Sequence, residues 1–202
     1  MGIFINMKIA DTVTQEEWDT VYEKSLLMAQ KFGFFDFGKR IIHGENILCI
    51  FPTEERMLDD SIGWRTIGSF PEYKRAEDQF MPKKLSDKPN GLFPYDILRT
   101  EFPDEVEQTE PKHDYRVIWG NKTQGEPYHM GLLAIACMVE QRLGIQAMVG
   151  GDITYGQCVR AAKMASDTIG EEIQPPISCR LNDLYERISK FNELNETEKL
   201  HF

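Results

Sequence analysis

The sequence predicts a mixed α/β domain, a mixed sheet with helices packed against it. Three features carry this: a strand pattern near the amino terminus, a helix whose start is written in the sequence at Thr14, and the stretch Glu126–Gly170, which reads as helix, strand, tight Gly-Gly-Asp turn and helix. The last unit argues for some parallel pairing, because a helix commonly returns the chain to a parallel neighbour. An α+β arrangement is the alternative.

Over Gly2–Ala10 apolar and polar residues alternate, with Ile3, Ile5, Met7 and Ile9 on one face and Asn6 and Lys8 on the other, the period of a half-buried strand. Thr14-Gln15-Glu16-Glu17 is a capping box, in which hydroxyl and carboxylate satisfy each other's backbone donors. The helix it opens is expected to reach about Phe32, burying Trp18, Val21, Tyr22, Leu26 (or Ser25) and Ala29. Ile47–Phe51 and Gly63–Phe70 read as short strands and are candidates for pairing with each other, although their connection is too long for a two-residue turn.

From Pro71 to Pro111 the character changes. Six of the 10 prolines fall here (Pro71, Pro82, Pro89, Pro94, Pro103, Pro111), which argues against long regular elements. Yet Phe80, Leu92, Phe93, Tyr95, Ile97, Leu98 and Phe102 are too apolar for a solvated linker. A packed irregular insertion over 71–113 is expected, with short helices near Tyr73–Phe80 and Pro94–Leu98. It serves either as a lid or as cover for a sheet edge. The acidic run Glu101–Glu110 that closes it reads as a solubilising surface, and Asp114–Trp119 as a strand.

Beyond Pro127, suited to a first helical turn, the residues from Met130 to Val139 are apolar almost all round, the mark of a buried helix. Gly144 is its expected C-cap and Ile145–Val149 an interior strand. The following helix should bury Cys158, Ala161, Ala162, Ala165 and Ile169, with Arg160, Lys163 and Asp167 outward. After Pro175-Pro176 comes a helix with Leu181, Leu184, Tyr185, Ile188 and Phe191 on one stripe. Asn195-Glu196-Thr197-Glu198 resembles a second helix start, from which the residues are expected to be the first domain of a longer protein.

Composition bounds the function. The chain has 202 residues, enough for one domain, and is 41% hydrophobic and 28% charged, too apolar for disorder. Its 33 acids against 23 bases give a net charge of −10, which opposes phosphate backbones and anionic lipid. Neither nucleic acid nor membrane is therefore an expected partner; a protein partner is. Cys49, Cys137, Cys158 and Cys179 form no C-x-x-C pair and read as reduced core cysteines. With no leader pattern and no run near ~18 apolar residues, a cytoplasmic protein is expected.

The nearest approach to a chemical motif is Gly151-Asp152-Ile153-Thr154-Tyr155-Gly156-Gln157-Cys158. It has the glycine spacing of a phosphate-binding loop, but Gln157 stands in place of the lysine and Cys158 in place of the magnesium-binding hydroxyl. Thr154-Tyr155-Gly156-Gln157 is itself a capping box, and Asp152 places negative charge where a phosphate would sit. A self-satisfied turn is the preferred reading, and phosphate is not the expected ligand. If a small-molecule site exists, it is placed at this turn, with Asp152, Thr154, Tyr155 and His129 as its residues, under the 71–111 excursion. Cys49 and His129 are a conceivable nucleophile–base pair. Trp64-Arg65 and Trp119–Lys122 are candidate pocket linings, with core packing preferred for both tryptophans. The four histidines lack metal-ligand spacing, so no metal and no cofactor are expected. The absence of a complete catalytic constellation favours a non-catalytic binding module over an enzyme or ligand sensor.

Overall fold

The protein is described from a computed structural model covering residues 2–35, 40–50, 57–69, 74–85, 94–100 and 114–199. In chain order the elements are β1 (Ile5–Ala10), α1 (Gln15–Lys31), β2 (Arg40–His43), β3 (Asn46–Ile50), β4 (Leu58–Asp59), β5 (Gly63–Ser69), β6 (Lys74–Pro82), β7 (Tyr115–Trp119), α2 (Tyr128–Leu143), β8 (Ala147–Gly151), α3 (Tyr155–Ile169) and α4 (Leu181–Lys199). Short 3₁₀ turns occupy Ile97–Thr100, Gly144–Gln146 and Ile177–Cys179. The mixed α/β class is thus observed.

The strands form a three-stranded sheet in the order β7-β1-β8, a β2-β3 hairpin, and a three-stranded sheet β4-β5-β6. Every pairing among the described residues is antiparallel. This corrects the expectation of parallel neighbours, and the reason is topological. The unit β7–α2–β8 does bring β8 back parallel to β7, as a crossover helix should. But β1 is inserted between them, antiparallel to both, with Met7 opposite Trp119 on one side and Val149 on the other. The expected β3–β5 pairing is also replaced. β3 turns back on β2 through Gly44-Glu45, with Gly44 at φ 63°, while β5 lies between β4 and β6.

The apolar face of β1, with Ile5, Met7 and Ile9 almost wholly buried, meets α1, α2 and α3. Both capping boxes exist: Thr14 closes on Glu17, and Thr154 on Gln157. On α1 the buried set is Trp18, Val21, Tyr22, Ser25, Met28 and Ala29, close to the predicted stripe. Helix α2 is buried nearly all round, as its composition requires, and ends at Gly144 with φ 58°. At Gly131 a Cβ would stand 2.9 Å from the Phe34 ring, so the glycine lets the end of α1 close over α2. Burial of Cys158, Ala161, Ala162 and Ala165 on α3 likewise follows prediction.

Both debated tryptophans are core residues. Trp64 packs edge-on to Trp119 with ring centroids 5.9 Å apart. Each indole N–H is satisfied: Trp64 donates to Ser25 Oγ at 3.0 Å, Trp119 to the Phe80 carbonyl at 3.0 Å, and Trp18 to the Pro82 carbonyl at 2.8 Å. Two of these bonds stitch β6 to the main body.

In the 71–111 excursion Lys74–Pro82 is a nine-residue strand rather than a short helix. Its helix-favouring residues are overruled by ladder bonds to β5, from Gly63 opposite Pro82 to Ser69 opposite Lys74. Proline does not interfere, because Pro82 ends the strand. The predicted second short helix is a 3₁₀ turn at Ile97–Thr100, with Ile97 and Leu98 fully buried. The acidic run 101–110 lies outside the described residues. Asn195–Glu198 does not start a second helix: the backbone of α4 continues through it.

Candidate functional site

The Gly150–Tyr155 turn is closed by its own backbone. Gly151 sits at φ 112°, where a Cβ would meet the Phe4 carbonyl oxygen at 2.5 Å. The next residue exchanges two bonds with β1's leading edge: Asp152 N donates to the Phe4 carbonyl at 3.0 Å, and Phe4 N donates to Asp152 Oδ2 at 3.2 Å. Thr154 is spent on the cap. Its Oγ1 accepts Gln157 N at 3.3 Å, while Gln157 Oε1 accepts Thr154 N at 2.8 Å. The amides of Asp152, Ile153, Thr154 and Gln157 are thus already bonded within the protein.

Of the four predicted site residues, Asp152 and His129 are brought together. His129 is 1% exposed on the first turn of α2, its Nδ1 2.7 Å from Thr123 Oγ1. Thr123 Oγ1 also lies 3.2 Å from the Ile3 carbonyl, and His129 Nε2 is buried without a partner among the described residues. Burial lowers the imidazole pKa and the charge of Asp152 opposes that shift, so the ring is held neutral. The Cys49 side chain lies outside the described residues, and with it the proposed pair with His129. The described parts of the 71–111 excursion pack elsewhere: Glu77 N bonds to the Lys122 carbonyl, and the 97–100 turn touches β8 and the 144–146 turn.

Tyr155 lines a groove. A cavity of about 610 Å³ opens between the first turns of α3 and α4, with Ile153 and Tyr155 on one side and Cys179 and Leu181 on the other. Two of the three most exposed large hydrophobic residues described line it, Tyr155 at 66% and Leu181 at 72%; the third, Tyr185 at 74%, lies one turn beyond Leu181 on α4. Val159, one turn beyond Tyr155, adds 40%. Ser178 and Arg180 at the groove are committed to the protein itself. Ser178 Oγ donates to the Val149 carbonyl at 2.8 Å, and Arg180 donates to the Pro175 carbonyl at 2.9 Å and pairs with Asp183. The residue types of this stripe were legible; that it lacks a cover was not.

Sequence reasoning missed a second feature, Glu140. The signal was a single acid near the end of a helix otherwise apolar on every side. Glu140 is 6% exposed and lines a cavity of about 380 Å³ between α2 and α4. Its Oε2 accepts Val149 N at 2.7 Å and its Oε1 accepts Ile177 N at 2.5 Å. Burial pushes its pKa up to about 7, against the two amides and the charges of Arg187 and Arg180. With both oxygens engaged by backbone, the carboxyl braces β8 and the 175–180 connection against α2. Arg187 beside it is held by Asp96, through Nε–Oδ2 at 2.9 Å and Nη2–Oδ1 at 2.5 Å.

Among the described residues no group of three or more His, Cys, Asp or Glu is arranged to hold a metal, and no helix is long and apolar enough to cross a membrane. No protein-family model, no curated protein and no solved structure matches the chain.

Proposed function

We propose that the protein is a cytoplasmic, non-catalytic interaction module whose α3–α4 groove receives a basic amphipathic segment of a protein partner. The observation that carries this is the groove itself: Tyr155 and Leu181, two of the three most exposed large apolar side chains described, line one concavity, and Tyr185 lies one turn beyond Leu181 on α4. Clustered exposed apolar surface beside a cavity is the usual form of a docking site for an apolar anchor. Leu181 and Tyr185 are four residues apart and share one face of α4, as do Tyr155 and Val159 on α3. Two such ridges with a trough between them suit a helix laid in a groove.

Charge selects the occupant. With 33 acids against 23 bases the chain carries −10; Asp183, paired with Arg180, lines the groove, and exposed Asp152 directly precedes its lining residue Ile153. That field draws a cationic segment and opposes a second copy of the chain, which would bring the same charge.

The test is a selection of displayed peptides carrying one apolar stripe on either a basic or an acidic background, followed by fluorescence anisotropy. Basic sequences should be enriched, with micromolar binding that falls at least tenfold in Leu181→Asp and Tyr185→Asp and is unchanged in Val117→Asp on the far sheet. Enrichment of acidic sequences, equal loss in all three variants, concentration-dependent dimerisation through the groove, or stabilisation by small molecules with no peptide binding would each overturn the proposal.

A further inference from the structure

Helix α4 is attached to the protein differently from the other helices. Helices α1, α2 and α3 each bury a set of side chains, whereas none of the side chains at 181–190 of α4 is buried, although Leu181, Leu184, Tyr185 and Ile188 are apolar. Among the described elements its backbone packs closely only on the 177–179 turn that leads into it. Farther along, one ion pair holds it. Arg187 Nε donates to Asp96 Oδ2 at 2.9 Å and Nη2 to Asp96 Oδ1 at 2.5 Å, with the Ile145 carbonyl 3.5 Å from Nη2. The receiving end is fixed: Asp96 Oδ1 also accepts Leu98 N at 3.0 Å, and Ile97 and Leu98 are fully buried.

We propose that α4 is a hinged arm, latched shut by Arg187 on Asp96, which opens as a unit and uncovers the surface of α2 beneath it. The hinge is Arg180. The turn before it is fixed to the body, with Ile177 N on Glu140 Oε1 at 2.5 Å and Ser178 Oγ on the Val149 carbonyl at 2.8 Å. Arg180 itself, at φ −110° and ψ 76°, has the backbone of neither the 3₁₀ turn nor the helix. Beneath the arm lies the cavity of about 380 Å³, lined by Cys137 and Glu140 from α2 and by Glu186, Arg187 and Lys190 from α4. With a space of that size under a helix that buries none of these side chains, the arm forfeits little packing when it leaves. The Arg187–Asp96 pair then carries most of the closure. Both groups regain water on opening, which offsets much of their attraction and makes the closure reversible.

Opening has two local consequences. Cys137, 1% exposed on α2 at the cavity wall, loses its cover. The arm loses its tertiary support, and a helix of 19 residues standing alone in water is marginal, so α4 melts as it leaves. A third consequence concerns docking. Because α4 supplies Leu181 and Asp183 to the groove, its release takes away one wall, and the latch thereby regulates the groove. That consequence rests on the groove reading above; the opening of the arm does not.

The experiment combines hydrogen exchange read by mass spectrometry with a timed iodoacetamide pulse and peptide map, on the folded full chain without any peptide. The amides of 184–190 should exchange at least a hundredfold faster than those in the middle of α2, the mark of a unit that opens below global unfolding. Asp96→Asn keeps an oxygen for Leu98 N but removes the charge. It should speed both the exchange of 184–190 and the alkylation of Cys137 at least tenfold, with α2 exchange unchanged. Exchange of α4 at the rate of α2, equal acceleration of both helices in Asp96→Asn, or faster α4 exchange with Cys137 alkylation unmoved would overturn the proposal. Should Asp96→Asn fail to fold, the ratio of α4 to α2 exchange in the unmodified chain decides. A selected basic peptide, added afterwards, should slow α4 exchange and bind Asp96→Asn at least fivefold more weakly. Separate opening of α4 with no protection by any peptide would sink the groove reading and leave the latch standing. Peptide binding to a chain whose α4 exchanges at the rate of α2 would sink the latch and leave the groove.

Discussion

Tyr155 and Leu181 stand on opposite walls of one cavity, 66% and 72% exposed, each at the first residue of its helix. Two large apolar side chains in that position contribute little to folding. Leu181→Asp and Tyr155→Asp should therefore change the unfolding free energy by no more than ~0.5 kcal/mol, the range of surface substitutions. Urea denaturation checks this, and a loss above ~2 kcal/mol would mean that these side chains are packed.

Glu140 sets a pH dependence. Its folded pKa of about 7 lies above the ordinary 4.5, so the folded state holds the proton more tightly than the unfolded state. The resulting stabilisation is full below pH 4.5 and is lost as pH rises through about 7. At ~1.4 kcal/mol per unit the decline amounts to at most ~3 kcal/mol. Glu140→Gln should remove this component of the slope. It should also lower stability at pH 5 by ~1–3 kcal/mol, since its amide N–H₂ opposes one of the two backbone donors. Paired urea titrations from pH 4.5 to 8 measure both; parallel curves for the two proteins would contradict the assignment.

Gly151 is a backbone requirement. A Cβ there would press on the Phe4 carbonyl oxygen at 2.5 Å with φ at 112°. Gly151→Ala should cost ~1–3 kcal/mol or more. Gly144, whose Cβ would meet nothing within 4 Å, carries only the penalty of its positive φ, so Gly144→Ala should cost less. Thermal unfolding of the two variants side by side gives the comparison.

Arg187 tethers α4. Its guanidinium and the Asp96 carboxylate are 18% and 11% exposed, so their two bonds are poorly screened. Arg187→Ala should cost ~1.5–3 kcal/mol and speed hydrogen exchange over 181–190, leaving α2 protected. Adding Asp96→Ala should restore part of the loss, because the stranded carboxylate is removed.

What the sequence discloses here is what local chemistry decides. Both capping boxes need only residues three apart, and both are present, at Thr14–Glu17 and Thr154–Gln157. Helix α2 was readable because an apolar surface on all sides leaves burial as its only environment, and Gly144 because a helix end needs a residue that accepts positive φ. Strand partners were not readable. Nothing in Ile5–Ala10 specifies that it will separate two strands more than a hundred residues downstream. Lys74–Pro82 carries helix-forming residues and becomes a strand only because β5 offers a ladder. For the site, the turn's self-closure was legible in Thr154 and Gln157. The groove was not, because whether a stripe such as Leu181–Tyr185 is covered depends on where α3 lies.

The docking reading is tested most directly by NMR mapping of a selected basic amphipathic peptide on the isotope-labelled chain. The account predicts chemical-shift changes and peptide contacts concentrated on Ile153, Tyr155, Val159, Leu181 and Tyr185, with Val117 and Tyr115 on the opposite sheet unmoved. Contacts centred on the β7-β1-β8 face, or spread over the acidic surface without reaching Leu181 and Tyr155, would contradict it.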